Sequence, residues 1–288
     1  PVSKSNIKNI LLQIFLVYSL LTLLIFVILN VGNVRLFNSL NLSMTIISNG
    51  GFLPANSLGQ IFLKNNNYIL TIVLLIPALN IFFLFNLFNK KRIINNHQED
   101  LFLIFLILSL SIILFYSLKN TYLSDIIINV ITSISNSGIS FTKSNEDTMI
   151  FIFLCIMGGS LISNSSGIKF IRIYILIKTA GAEIIKLVRP NNVFNNTIFY
   201  SEKKIENYTI NLSFLIFIIF FISIFILSSI LILDNINFED SFKLSILTLT
   251  NTTNSSLYGM SGINFANLLN STKLFLIIFM IIGKIELI

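Results

Sequence analysis

The chain has 288 residues, 55% of them apolar and only 11% charged, with a formal net charge of +7. Soluble domains carry roughly a quarter of their residues as charges, so this composition excludes a water-soluble enzyme or binding module. The basic excess falls in short polar segments between long apolar runs, which makes it a topology signal rather than a nucleic-acid-binding face.

A bilayer core about 30 Å thick is crossed by a helix of about 20 apolar residues. Lys4 and Lys8 precede the first such run, Ile10–Leu29. Leu36–Ile47 follows as a short helical stretch ending in Ser48-Asn49-Gly50-Gly51-Phe52. A second run, Tyr68–Phe88, leads to the basic group Lys90, Lys91 and Arg92 and to the polar loop Asn95–Asp100, where His97 is expected to be solvated. After the third run, Leu101–Leu118, comes a second short stretch, Ser124–Ile134, ending in Ser135-Asn136-Ser137-Gly138-Ile139. The apolar segment holding the single cysteine, Cys155, is interrupted at Met157-Gly158-Gly159-Ser160. A basic region with Lys178, Lys186, Arg189, Lys203 and Lys204 separates it from the run Leu212–Leu233. Glu239–Leu249 is the third short stretch, ending in Thr250-Asn251-Thr252-Thr253-Asn254, and Leu274–Ile288 is the last apolar run.

One layout therefore recurs: span, short helix, Asn-centred motif, span. It divides the chain into units at 1–92, 93–205 and 206–288. Ser124-Asp125 and Glu239-Asp240-Ser241 are expected to cap the N-termini of their short helices with side-chain oxygens. With the basic clusters on the cytoplasmic side, all the Asn-centred motifs lie outside, between an outgoing and a returning helix. Re-entrant backbone survives at membrane depth only when buried in protein or lining a wet cavity. Such segments build cation pores, because carbonyls replace a hydration shell and glycine permits the dihedrals that aim them. The expected fold is thus an all-α integral membrane protein with repeated helix–pore loop–helix units around a central pore. Pro1 and the end inside an apolar run are read as cut ends of a longer protein. A Gly-Lys-Ser/Thr nucleotide motif, a His/Cys ligand cluster and a nucleophile–base pair are all missing from the sequence, so a conducting rather than catalytic role is expected, with no cofactor.

At these residues the chain resembles the TrkH family of bacterial potassium-uptake subunits, within the Trk/Ktr/HKT superfamily. The match runs through the three Asn-centred motifs and Met157–Ser160. It continues with Ser166-Gly167-Ile168-Lys169-Phe170-Ile171-Arg172, the basic stretch Ile185–Val193 with its Pro190-Asn191 pair, and Ile282-Gly283-Lys284-Ile285-Glu286. The resemblance implies repeats two to four of a four-repeat pore in the bacterial inner membrane. It implies filter carbonyls at Asn49, Gly50, Gly51, Asn136, Ser137, Gly138, Asn251, Thr252 and Thr253 coordinating K⁺, with the Ser137 and Thr252 hydroxyls as auxiliaries. It implies an intramembrane gate loop with Gly158, Gly159, Ser160, Ser163, Asn164, Ser165, Ser166 and Gly167, for which a packed kink is the alternative. Lys284 would be a pore-facing charge that limits flow; pairing with Glu286 or snorkelling to the boundary is the alternative. A homodimer and a nucleotide-binding regulatory ring of TrkA type, docked on the basic segment Ile168–Lys204, are the implied partners. Thr253 stands where the family's fourth filter has glycine, and Asn254 where proline is usual. That departure leaves a Na⁺-permeable or Na⁺-coupled relative, or a non-conducting scaffold, as alternative readings.

Overall fold

The computed structural model describes residues 4–53, 67–83, 86, 97–118, 122–139, 148–189, 197–199, 204–253, 256–259, 265 and 268–284. Lys90, Lys91, Arg92, Pro190, Asn191, Lys203, Asn254, Ile285 and Glu286 lie outside the described residues. Among those described, the regular elements are helices: α1 (Lys4–Val31), α2 (Leu36–Ser48), α3 (Asn67–Leu75), α4 (Gln98–Ser117) and α5 (Leu123–Ser135), then α6 (Thr148–Ile156), α7 (Phe170–Val188), α8 (Asn207–Leu233), α9 (Phe238–Leu249) and α10 (Asn270–Lys284).

The burial pattern is inside-out. Helices α1, α4 and α8 are long and apolar enough to cross a bilayer, yet only 17%, 28% and 28% of their most apolar stretches are buried. Leu11, Phe15 and Leu23 of α1, Phe105 and Ile113 of α4, and Phe214 and Phe225 of α8 point away from the protein. Apolar surface of this extent on three helices is matched by lipid rather than water. The short helices form the core instead. In α5 every residue from Ile128 to Ser135 is buried, and in α9 every residue from Leu244 to Leu249.

Serines scattered along these apolar helices turn back on their own carbonyls. Ser43 Oγ donates to Leu40 O (2.8 Å), Ser111 Oγ to Leu108 O (2.8 Å) and Ser245 Oγ to Phe242 O (2.7 Å). That local bond satisfies the hydroxyl without breaking the helix ladder, so these polar residues do not interrupt their helices.

The helices are arranged in succession. α2 packs on α1; α5 packs on α3, α4 and α6; α9 packs on α6, α8 and α10. Each of the two later short helices is held by the long helix before it, the helix after it and the returning helix of the preceding unit. This placement carries the C-terminal ends of the short helices toward a shared centre.

Three expectations change here. The run Tyr68–Phe88 is not one continuous helix: α3 stops at Leu75, a 3₁₀ turn covers Ile76–Ala78, and Leu79 is extended (φ −88, ψ 166). Pro77 is the cause, since it has no N–H to give and its ring blocks the turn before it. The caps also differ. Tyr122 and Asn237 occupy the N-cap positions of α5 and α9 with no side-chain cap bond, while Asp125, Glu239 and Asp240 sit in the first turns. There their charges favour the helix dipole without capping a specific N–H. Finally, His97 is buried rather than solvated, at 3% exposure. Its Nδ1 lies 2.9 Å from Asp100 Oδ2, its Nε2 lies 2.8 Å from Asn86 Nδ2, and Phe83 meets the ring edge-on. Asp100 Oδ1 also accepts from the Asn80 N–H (2.8 Å), so the dyad stitches the start of α4 to the chain beyond the Pro77 break.

Candidate ion pathway

The short helices end in one repeated device. Asn49, Asn136 and Asn251 all take left-handed backbone, with φ of 49, 55 and 57. In each case the next N–H reaches back to the helix: Gly50 to Thr45 O (2.9 Å), Ser137 to Thr132 O (3.2 Å) and Thr252 to Leu247 O (2.9 Å). This is the Schellman pattern, which satisfies the last free carbonyls and turns the chain sharply out of the helix. Asparagine is the residue after glycine that tolerates it best, which explains the recurring Asn in these motifs. Two residues further on, Gly51 and Gly138 also take positive φ, 69 and 67; Thr253 in the third motif does not. A β-branched side chain disfavours that region, so the third Asn-centred segment follows a different local path.

The three segments meet. A Cβ placed on Gly138 would lie 3.1 Å from Gly51 Cα, 3.3 Å from Asn251 O and 3.7 Å from Thr252 Cα. One placed on Gly51 would lie 3.5 Å from Gly138 O and 3.6 Å from Ser137 O. The backbones of all three motifs therefore close on one point, with carbonyl oxygens from two of them beside it. Ser137 Oγ accepts from the Ile139 N–H (3.4 Å), and Thr252 Oγ1 faces Thr250 Oγ1 at 2.9 Å. Both hydroxyls are thus engaged within their own segments.

The asparagine side chains tie the segments to what lies next to them. Asn49 Nδ2 donates to Ser135 O at the end of α5 (2.8 Å). Asn136 Nδ2 donates to Ser166 O (2.8 Å), and Asn251 Nδ2 to Ser166 Oγ (3.3 Å) and Met280 O (3.1 Å). Residues 158–167 answer with Asn164 Nδ2, which donates to Ile47 O in the last turn of α2 (2.7 Å). The loop between α6 and α7 is consequently bonded to the ends of all three short helices.

That loop is a defined structure, not a continuing helix. Gly158 N–H donates to Ile168 O (2.8 Å) and Ile168 N–H to Ile156 O (2.9 Å), which pinches its two ends together. Ser160 N–H donates to Ala78 O (2.9 Å), the carbonyl set free by the Pro77 break, and Ile81 N–H donates to Ile162 O (3.0 Å). Leu161 N–H donates to Glu99 Oε1 (2.8 Å). The glycines are needed for close approach: a Cβ on Gly158 would strike Ser166 O, and one on Gly159 would strike the Ala78 backbone. Lys169, only 4% exposed, inserts its ammonium into the loop, donating to Ser163 O (2.9 Å) and Ser165 O (2.7 Å).

Lys284, in the last turn of α10, donates its ammonium to Ser48 O at the end of α2. The C-terminal end of a helix carries about half a negative charge, so this is where a cation is electrostatically favoured. Gly283 makes the approach possible, because a Cβ there would overlap the Leu249 backbone of α9. Lys284 thus reaches from the last unit across to the first.

Sequence reasoning missed Ala78, Lys169 as the loop's anchor, and a buried tyrosine, Tyr258. Pro77 in mid-run was the available sign for Ala78; the other two depend on packing.

No protein-family model and no curated protein matches the chain. Among solved structures it is similar to the potassium transporter TrkH from Vibrio parahaemolyticus, with a TM-score of 0.84 and 19% identity. The superposition covers 99% of this chain and 64% of that one. The chain therefore has the all-helical fold of that membrane transporter and spans about two thirds of its length.

Proposed function

We propose that the chain is a TrkH-type K⁺ uptake subunit, contributing repeats two to four of a pore whose filter is lined by residues 49–51, 136–138 and 251–253. The observation that carries this is the meeting of three identically capped helix ends around Gly51 and Gly138. Helix C-termini aimed at one point stabilise a cation there, and densely placed carbonyls can exchange for its water. The loop 158–167 acts as the gate below, since its bonds to all three helix ends couple its position to the filter. The protein conducts rather than catalyses, works in the bacterial inner membrane as a homodimer, and takes a nucleotide-binding regulatory ring of TrkA type on the basic segment Ile168–Lys204.

The test is expression of the full-length protein in a strain lacking its K⁺ uptake systems, with growth scored at low external K⁺. Rescue together with Rb⁺ uptake is expected; no rescue and no Rb⁺ or Na⁺ flux would remove the transport reading. Thr253 favours one second reading, a Na⁺-permeable relative, because it changes the filter at a position where backbone geometry sets the cage. Higher Na⁺ than Rb⁺ flux in the same assay would select it.

Lys284 supplies a separate prediction. Its ammonium occupies the favourable end of α2, in competition with a passing ion. Replacing it with methionine should raise Rb⁺ flux several-fold at equal protein level, and a lower flux would count against an electrostatic barrier.

A further inference from the structure

After the third visible motif the chain turns back into the protein through a 3₁₀ turn, Ser256–Tyr258, packed on α6. It delivers Tyr258 to a site where only 1% of the residue is exposed. A phenol buried at that depth needs a hydrogen-bond partner, whereas phenylalanine would fill nearly the same space without one. Tyr258 Oη lies 2.7 Å from Cys155 Sγ on α6 and 3.5 Å from Ser133 Oγ on α5. Thr252, in the filter segment, lies close to both the phenol and the thiol, and its hydroxyl is held by Thr250 Oγ1 (2.9 Å). Cys155, Ser133 and Thr252 are each fully buried. Ser133 gives its own proton to Asn129 O (2.7 Å), so it accepts from the Tyr258 O–H, and the Cys155 S–H donates to the phenol oxygen.

The cluster adjoins the filter segment. Thr252 Cα lies 3.7 Å from where a Cβ on Gly138 would be, while the Thr252 hydroxyl bonds Thr250 Oγ1 beside the cluster. The first two filter segments are set by a glycine at positive φ; the third has Thr253 there and no such constraint. A side-chain network beside Thr252 supplies the missing constraint by other means. We infer that Tyr258 is a positioning residue for the filter, fixing the 251–253 backbone against the third-repeat helices through Cys155, Ser133 and Thr252. This rests on the cation-pore reading above and adds to it the source of order in its glycine-free segment.

The test compares Tyr258→Phe, Cys155→Ala and Cys155→Ser in the full-length protein, measuring Rb⁺ uptake and its inhibition by Na⁺, with membrane protein level as control. One net hydrogen bond corresponds to roughly three- to tenfold in an equilibrium constant, so Tyr258→Phe and Cys155→Ala should each lower Rb⁺-over-Na⁺ discrimination by about that factor. Cys155→Ser keeps a donor for the phenol and should stay near wild type, a rescue that mere cavity filling does not predict. Where Tyr258→Phe fails to accumulate, the Cys155 pair decides. Unchanged discrimination in both Tyr258→Phe and Cys155→Ala overturns this inference alone, leaving the pore intact. Wild-type protein that passes no cation removes the pore and the inference together.

Discussion

On the proposed pore reading, Gly138→Val is expected to abolish cation flux while the protein still reaches the membrane. Gly138 takes φ 67, a region that an L-residue enters at a cost of roughly 1–2 kcal/mol, and more when β-branched. Its Cβ would also stand 3.1 Å from Gly51 Cα and 3.3 Å from Asn251 O, both backbone atoms of the other two Asn-centred segments. Those atoms cannot move without unseating the Schellman turns at Asn49 and Asn251, so the strain passes directly into the place where three backbones meet. Gly51 provides the internal comparison. Its own Cβ would find its nearest neighbours at 3.5 Å, an ordinary contact, so Gly51→Ala carries only the φ penalty and should retain part of the flux. Rb⁺ uptake normalised to membrane protein level reads both variants. Wild-type uptake in Gly138→Val would reject residues 136–138 as a filter.

The architecture was legible because its signals are local. Each short helix closes on an Asn that the sequence displays three times, and the left-handed turn that asparagine tolerates is decided by that residue and its neighbours. The long apolar runs, Ile10–Leu29, Leu101–Leu118 and Leu212–Leu233, became α1, α4 and α8 because nothing in them obstructs a helix. Tyr68–Phe88 did not, and the hydropathy of the run outweighed its one proline in a reading by composition. The break it makes is what frees Ala78 O to hold Ser160.

What stayed illegible depends on partners distant in sequence. His97 reads as a loop residue until Asp100 and Asn86 are seen to enclose it. The side chains of Asn49, Asn136 and Asn251 read as loop polarity until each is found donating to a residue far away in sequence. Tyr258 follows the same logic: a tyrosine in a polar connection is usually at the surface, and only the packing of residues 256–258 on α6 buries it. Among ionisable groups the sequence drew attention to Lys284, but Lys169 is the more deeply enclosed of the two.

That enclosure makes Lys169 the position with the largest expected effect on stability. Lys169 is the N-cap of α7, where the positive end of the helix dipole opposes a cation by roughly 0.3–1 kcal/mol, and burial opposes it further. The charge is kept there by oxygens of the loop: Ser163 O at 2.9 Å, Ser165 O at 2.7 Å and Ser163 Oγ at 3.2 Å. Glu99 also holds the loop by accepting from the Leu161 N–H, so a cation gathers its carbonyls while a carboxyl oxygen takes one of its amides. Lys169→Met removes two charge-assisted bonds to carbonyls of roughly 1.5–3 kcal/mol each, a gross loss of about 3–6 kcal/mol that the relieved cost of burying a cation at a helix N-terminus reduces. The loop that bonds to the ends of α2, α5 and α9 then loosens as a unit. The expected results are a lower unfolding temperature for the detergent-purified protein and a higher basal Rb⁺ leak. Lys169→Arg retains the charge, but its planar fork fits two convergent carbonyls and a hydroxyl poorly, so it should fall between wild type and methionine. An unfolding temperature and a leak both equal to wild type in Lys169→Met would mean the loop is held by its backbone bonds to Ala78 and Ile156 alone.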